Sequence, residues 1–534
     1  MAFKEHFEDD ESPVSSSIVE FQDPEKRPAC FKSTIQECLF ILTATMSIGT
    51  SSFLYGICSV ITASIGRGLN MTSAEITWIS ASSALTSGSL LLFFAKVADT
   101  FGRRSLLIFS TGAFAAFSLV TGFATNAIYL DTLLGVLGLW SAGAVPPAVG
   151  ILGAAYERPS KRKNRAFACF SAGNPLGAIL GTIFSGIAAH LFNWRASYYL
   201  LAIIYVVFFA VAIVTVPKTQ RNTEPLSWET LKKFDLVGIF LSMAGIALFC
   251  SSLSIAGDAP HGWRTPYVLA MLVLGVVFIV SFVAWEGYCK YPMMPLRIWK
   301  DRNFSLINLI VMFGFMSFGT SSFWVSLFMQ NVLRFSPLEV AVHLLPQAVV
   351  GILVNIIAGL VLHKVSNKLL MGIGSVAYFG ASLLLALMRG DHVYWPFIAP
   401  SLALAVIGAD LQFNVANMYV MSSLPPEKQS LGGGIFNTVT KICGAVGLAI
   451  SSSVYNAEST SSAALQTSSR PYNMAFWFCA ASAGLGICFV PFLTIGTQGH
   501  STKESAAKGS VGVTSSATSD GQVEKINVPT EGKT

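Results

Sequence analysis

The chain has 534 residues, of which 53% are hydrophobic and 12% charged, with a formal net charge of +6. Soluble domains carry roughly 25% charged residues, so the composition excludes a soluble globular protein and describes one that crosses a membrane many times. The positive balance does not imply nucleic acid, because the basic residues fall in short stretches between apolar runs.

Residues 1–36 are polar and partly acidic and lack a short apolar core with a cleavage site. They read as a disordered cytosolic tail with no signal peptide, the first span acting as the insertion signal. Fourteen apolar runs follow, at about residues 37–62, 76–98, 105–124, 130–155, 165–189, 195–216, 235–256, 266–286, 304–329, 338–362, 370–388, 395–421, 431–455 and 475–497. About 20 apolar residues cross a bilayer as a helix, so the predicted fold class is an all-α polytopic membrane protein. Residues 498–534 are rich in Ser, Thr, Gly and Lys and read as a second disordered cytosolic tail. The nine cysteines are scattered, with no CxxC and no cluster. Neither a metal site nor a disulfide framework is indicated, and no cofactor is expected.

Orientation follows from counting Lys and Arg in alternate loops. One set of loops, beginning with Arg103 and Arg104, holds 18; the other, including Arg67, Arg195 and Arg264, holds 6. Basic residues resist translocation, so the first set and both tails belong in the cytosol.

Between the second and third runs only about five residues turn the chain, in Ala95-Lys-Val-Ala-Asp99-Thr-Phe-Gly102-Arg103-Arg104. Gly102 permits a tight turn, and Asp99 is placed to face the positive end of the next helix. This stretch resembles the signature loop of the major facilitator superfamily, G-x-x-x-D-x-x-G-R-[RK], with Ala95 in place of the first glycine. A weaker echo, Gly359 to Lys368, follows the tenth run. The family is built from two six-span halves, so the echo places the halves in spans 1–6 and 9–14, with spans 7 and 8 inserted. The resulting divisions are 37–216 for the first half, 217–303 for the linkers and inserted pair, and 304–497 for the second. Trp228, Leu231 and Phe234 give the first linker a slight amphipathic signal.

The fifth run contains Gly173-Asn174-Pro175-Leu176-Gly177. Glycines permit close helix contact and proline bends the helix. The run resembles the span-five signature of drug:proton exporters, G-P-x-x-G-G, whose role is partly structural. The fourth run departs from the pattern. Those exporters carry R-x-x-Q-G there, and this chain has Leu134 and Leu137 at the matching positions. Either coupling here does without that arginine, or the protein is not proton-coupled in the usual way.

Two charges lie inside spans of the second half. Asp410, Asn414 and Asn417 fall at i, i+4 and i+7 of span twelve, one polar stripe. A bare carboxylate in hydrocarbon is costly, so Asp410 is expected to face a cavity or a partner. Lys441 lies about ten residues into span thirteen. The two are expected to pair in at least one conformation, either as a permanent structural ion pair or as an exchange among a proton, Lys441 and a substrate group. His343 and Gln347, four apart in span ten, and Asn308 and Gln330 near span nine are candidates for the cavity wall, or for ordinary interhelical hydrogen bonds. Asn70-Met71-Thr72 is a glycosylation sequon on the outer side.

The resemblance extends over residues 37–497 and is to the fourteen-span drug:proton antiporter branch, with runs similar to fungal exporters of the aminotriazole and boron resistance type. It implies a rocker-switch carrier, not an enzyme, that exports a small toxic compound or metabolite against inward proton flow. It further implies a monomer in the lipid bilayer of the plasma membrane or the vacuole. Alternatives are a proton-linked importer or facilitator of a small solute, and a membrane sensor without turnover.

Overall fold

A computed structural model describes residues 27–156, 161–217, 234–257, 259–289, 292, 294, 296–361, 365–389, 394–423, 426–461 and 469–496. The two predicted tails lie largely outside these residues. So do Trp228 and Leu231 of the linker, and His363 of the repeat echo.

Fourteen described helices are long and apolar enough to cross a membrane. They are α1 Thr34–Leu69, α2 Ser73–Phe101, α3 Arg103–Thr121, α4 Ala127–Ala155, α5 Arg165–Leu191, α6 Trp194–Thr215, α7 Leu236–Ile255, α8 Pro266–Tyr288, α9 Arg302–Asn331, α10 Pro337–Ala358, α11 Asn367–Ala386, α12 Tyr394–Val420, α13 Gly432–Ser459 and α14 Arg470–Phe492. Each matches one apolar run, and several are longer because polar caps extend the helix past the hydrocarbon. Ser33 accepts from the Gln36 N–H, so α1 begins at Thr34, inside the predicted tail. At the start of α2, Thr72 and Glu75 form a reciprocal capping box.

The helices pack as two six-helix halves plus an inserted pair. In the first half α1 packs on α5, α2 on α4, and α3 on α4 and α6; in the second, α9 packs on α13, α10 on α12, and α11 on α12 and α14. The same partners recur eight spans apart. The halves meet through α2 against α13 and α5 against α10, again a symmetric pair. Helices α7 and α8 pack on each other, and α7 also lies against α2 and α13. Helix α8 is the most exposed span, turning Leu269, Val273, Val277 and Val280 outward as a lipid-facing helix must. The start of α7 is clasped to α2: Phe234 stacks on Phe101 and lies under the Lys96 ammonium.

The α1–α5 contact is made of glycine. A Cβ on Gly173 would collide with the Thr45 carbonyl, one on Gly177 with the Gly49 carbonyl, and one on Gly181 with the Phe53 carbonyl. Pro175 cannot donate to the carbonyl of Ser171, and the helix breaks at Ala172 just before this contact. Gly177→Ala forces the two backbones apart. It should cost about 1–3 kcal/mol, seen as a lower unfolding temperature in detergent with the far-UV spectrum unchanged.

The bundle has a basic end, which holds the start of α1, the end of α14 and the α2–α3 turn, and an opposite end. At the opposite end one continuous apolar cluster includes both halves, with Phe53, Ile57 and Ile61 of α1 beside Trp324, Phe328 and Met329 of α9. Gln330 accepts from the Ala63 N–H at 3.2 Å, and the Ser326 hydroxyl donates to the Ser59 carbonyl. Arg67 reaches Asn331 at 3.4 Å. At the basic end the core divides. One cluster, around Phe40, Leu107 and Leu152, belongs to the first half alone; another, around Phe304, Met371 and Phe436, belongs to the second, with Leu92 of α2 packed on it. Among the described residues, the halves thus share one apolar core at the opposite end and have a core each toward the basic end.

Candidate functional site

The centre of the molecule holds a partly buried cation. Lys441 of α13 crosses from the second half into the first, where its Nζ donates to Ser87 Oγ of α2 at 2.6 Å and to Ser51 Oγ of α1 at 2.8 Å. Ser141 of α4 completes the group, 2.9 Å from Ser51 and 3.3 Å from Ser87. Gly88 allows this crossing: a Cβ there would stand 3.2 Å from Lys441 Cβ and 3.0 Å from Ile442 Cγ1. Thr438, one turn away, donates to the Gly88 carbonyl at 3.0 Å. Next to Ser51, Ser52 donates to Asn174 Oδ1 of α5 at 3.1 Å, so the span-five motif abuts the same centre. Charge-assisted bonds to hydroxyls offset part of the cost of burying an ammonium.

Asp410 is elsewhere. Its carboxylate points into the α10–α12 seam, where a Cβ on Gly351 would stand 3.4 Å from its Oδ2 and where Asn355 is its polar neighbour. Asn414 donates to Asn355 Oδ1 at 3.1 Å and to the Asp410 carbonyl at 2.8 Å. Asn417 continues the stripe toward the basic end, half-buried. The expected Asp410–Lys441 pair is not made in this structure. Lys441 turns to the serines of the other half, because Gly88 brings α2 within its reach.

At the basic end Arg103 braces the first half. It donates to Asp99 Oδ1 through Nε at 3.0 Å and a terminal nitrogen at 2.7 Å, and to the Gly150 carbonyl of α4 at 2.6 Å. Arg104 reaches the Ile213 carbonyl of α6 at 3.1 Å. Gly102 makes the turn at φ 106°, ψ 125°, a conformation open essentially to glycine. Asp99 does not cap α3, which has no side-chain cap; the nearer guanidinium of Arg103 takes it instead. A second brace lies beside it. The carboxylate of Glu37, at the start of α1, accepts from Arg162 Nε at 2.8 Å and from the Tyr156 hydroxyl. Burial and the Glu37 carboxylate push the Tyr156 hydroxyl well above its ordinary pKa, so it stays a donor.

The model of the Major Facilitator Superfamily matches residues 39–448. The chain belongs to that superfamily. Curated relatives include the efflux pump terJ of Aspergillus terreus, 28% identical with 83% of this chain and 85% of that one covered. The aminotriazole resistance protein of Saccharomyces cerevisiae is 27% identical, covering 78% and 76%. The low affinity ammonium transporter of the same yeast is also 27% identical, covering 73% and 76%. Among solved structures, a peptide transporter, POT, in complex with sulfate superposes with a TM-score of 0.61 at 15% identity, covering 85% of this chain and 93% of that one. The protein is thus a multi-pass membrane transporter acting on a small-molecule substrate.

In this superfamily member the remaining candidates fall in different places. Leu134 and Leu137 are fully buried in the apolar cluster that also holds Ile57 and Tyr198. His343 lies on the flank of α10, in a groove of about 480 Å³ lined by Val342, Pro346, Tyr394 and Trp395. It bonds its own helix through the Glu339 carbonyl at 2.7 Å and packs against Phe335 and Tyr394. That aromatic packing holds His343 away from the central site. Gln347 is one turn from Gly351 and two from Asn355, on the face that meets Asp410. Asn308 bonds back to the Phe304 carbonyl, and Gln330 belongs to the contact between the halves. Asn70 is exposed in the α1–α2 turn at φ 51°, while Thr72 of the same sequon caps α2. Sequence reading passed over Asp131 of α4, which lies near Glu75, Cys58 and Tyr198 with Oδ1 buried and unbonded. It also passed over the three central serines, although the density of serine in α2 was visible.

Proposed function

We propose that this transporter exports a small toxic compound or metabolite by proton antiport with alternating access, the basic end facing the cytosol and both termini with it. The observation that carries the reading is the asymmetric union of the halves: one shared apolar core at one end, a core each at the other, and a side chain that crosses between them at the centre. Such an arrangement exposes a central site to one side only, and reversing the seal exposes it to the other. The relatives named efflux pump and aminotriazole resistance protein support export. In this proposal Asp410 is the group that binds the coupling proton, and Asn355 and Asn414 position it. Residues 37–216 and 304–497 are the two moving bodies, and the plasma membrane is the favoured site.

Import is the competing reading, favoured by the relative named ammonium transporter. A transporter-depleted yeast expressing the chain decides between them when loaded with borate, aminotriazole, azoles, dyes and weak acids. Export predicts lower accumulation of at least one compound, abolished by a protonophore and reduced roughly tenfold or more by Asp410→Asn, the scale of a 1–3 kcal/mol coupling. Higher accumulation would establish import, and lower accumulation that ignores the protonophore would remove proton coupling.

A further inference from the structure

The reading above leaves the cargo's chemistry open; resting on that reading, the geometry points to an acidic cargo. We infer that Lys441, with Ser51, Ser87 and Ser141, forms a subsite for the anionic group of the solute, a carboxylate or a comparable oxyanion.

The charge in this group is not balanced locally. Lys441 is bonded to two neutral hydroxyls, and the third member, Ser141, is neutral too. Among the described residues, the carboxylates inside the spans are placed elsewhere. Glu37, at the start of α1, accepts from Arg162 and Tyr156, and Glu286, at the end of α8, accepts from the Met294 N–H. Asp410 faces Gly351 and Asn355 in the α10–α12 seam. Asp131 is ten residues from Ser141 along α4, about 15 Å at 1.5 Å per residue. A lysine ammonium has three protons and two are engaged here, so one donor remains for a ligand. The serines are both donors and acceptors. They hold the ammonium when the site is empty and can turn their protons to an anion when it is filled.

There is also room for the ligand. On α13, Gly447 packs against Met316 and Thr320 of α9, and Ile442 packs against Gly88 of α2. Gly444 lies between these two faces, one turn from Lys441, and a Cβ there would meet nothing within 4 Å. The Gly319 backbone of α9 faces it, a Cβ there standing 3.5 Å from Gly444 Cα, so the open space lies one turn along α13 from Lys441, on the side toward α9. A cation placed in it would meet a like charge in a medium that screens poorly; an anion would complete the pair. Because α1, α2 and α4 come from one half and α13 from the other, an anion here would contact both moving bodies at once.

The test reads the field at Gly444 directly. In full-length protein lacking its native cysteines, Gly444→Cys is modified with 2-sulfonatoethyl methanethiosulfonate or with the 2-trimethylammonium analogue. Rates are normalised to a free thiol. The anionic reagent should react at least tenfold faster, and Lys441→Met should erase the bias. Benzoate should slow the modification, while benzylamine should not. Equal rates, a preference for the cationic reagent, or protection by benzylamine instead of benzoate would overturn the inference. Thermal unfolding of the wild-type protein supplies a second reading that needs no substitution: benzoate should raise the midpoint more than benzylamine or benzamide, and the reverse order would count against the subsite. Neither measurement involves transport. A field of the wrong sign therefore sinks the acidic cargo and leaves export standing, whereas an intact anion preference with no efflux sinks export alone.

Discussion

Tying α1 to α9 at the sealed end should stop transport outright. Ser326 donates to the Ser59 carbonyl there, and Gln330 adds bonds to the Ala63 N–H and the Ser59 carbonyl. If the protein works by alternating access, these contacts must part in every cycle. A cysteine-free background carrying Ser59→Cys and Ser326→Cys, treated with a short bifunctional thiol reagent that reduction can cleave, should lose more than nine-tenths of its efflux and regain it on reduction. That loss corresponds to a barrier increase of about 1.4 kcal/mol or more. The proper control is a cross-link within one body. Ser185 and Ser197, whose hydroxyls are 3.2 Å apart, both belong to the first half, so the Ser185→Cys, Ser197→Cys pair should cross-link without affecting efflux. Full transport with the inter-half link in place would exclude rocking of these two halves.

Much of this architecture was legible before any coordinates. Each span shows as a run of about 20 apolar residues because the bilayer demands it of every crossing helix, and the runs and helices correspond one to one. The α1–α5 contact was legible from one side, since Gly173 and Gly177 invite a close neighbour; that the neighbour is α1 depends on the three-dimensional packing. The two braces divide likewise. Asp99, Gly102 and Arg103 fall within one short motif, whereas Glu37 meets Arg162 from 125 residues away and no local pattern joins them. The central site was read in part. Lys441 shows in the sequence as a charge that needs a partner, and the adjoining span offers Asp410. The partners in the structure are serines 354 and 390 residues away. A serine in a membrane helix carries no distinguishing signal, as it commonly bonds back to its own helix, the habit of Thr43, Ser47 and Thr50 in α1.

The other large effect belongs to Arg103. Its bond to Asp99 is half in solvent, with side-chain exposures of 26% and 54%, and such a pair is worth about 0–1 kcal/mol of stability. Arg103→Ala should therefore leave the unfolding temperature nearly unchanged. Transport should behave differently. The same guanidinium bonds the end of α2 through Asp99 and the end of α4 through the Gly150 carbonyl, and a Cβ on Gly150 would already press on Arg103 Nε at 2.6 Å. Removing it unties two helices of the first half at the end that must open and close, so efflux should fall roughly tenfold or more. Arg103→Lys should recover little of this, because an ammonium cannot span a carboxylate and a carbonyl with the fixed fork that a guanidinium provides. Gly102→Ala should act through the backbone instead. At φ 106°, ψ 125°, a side chain costs about 1–3 kcal/mol, so this variant should lose thermal stability and transport together. Measuring efflux and unfolding on the three variants separates the two mechanisms. Arg103 is a brace for motion only if its alanine variant fails in transport while it stands firm to heat.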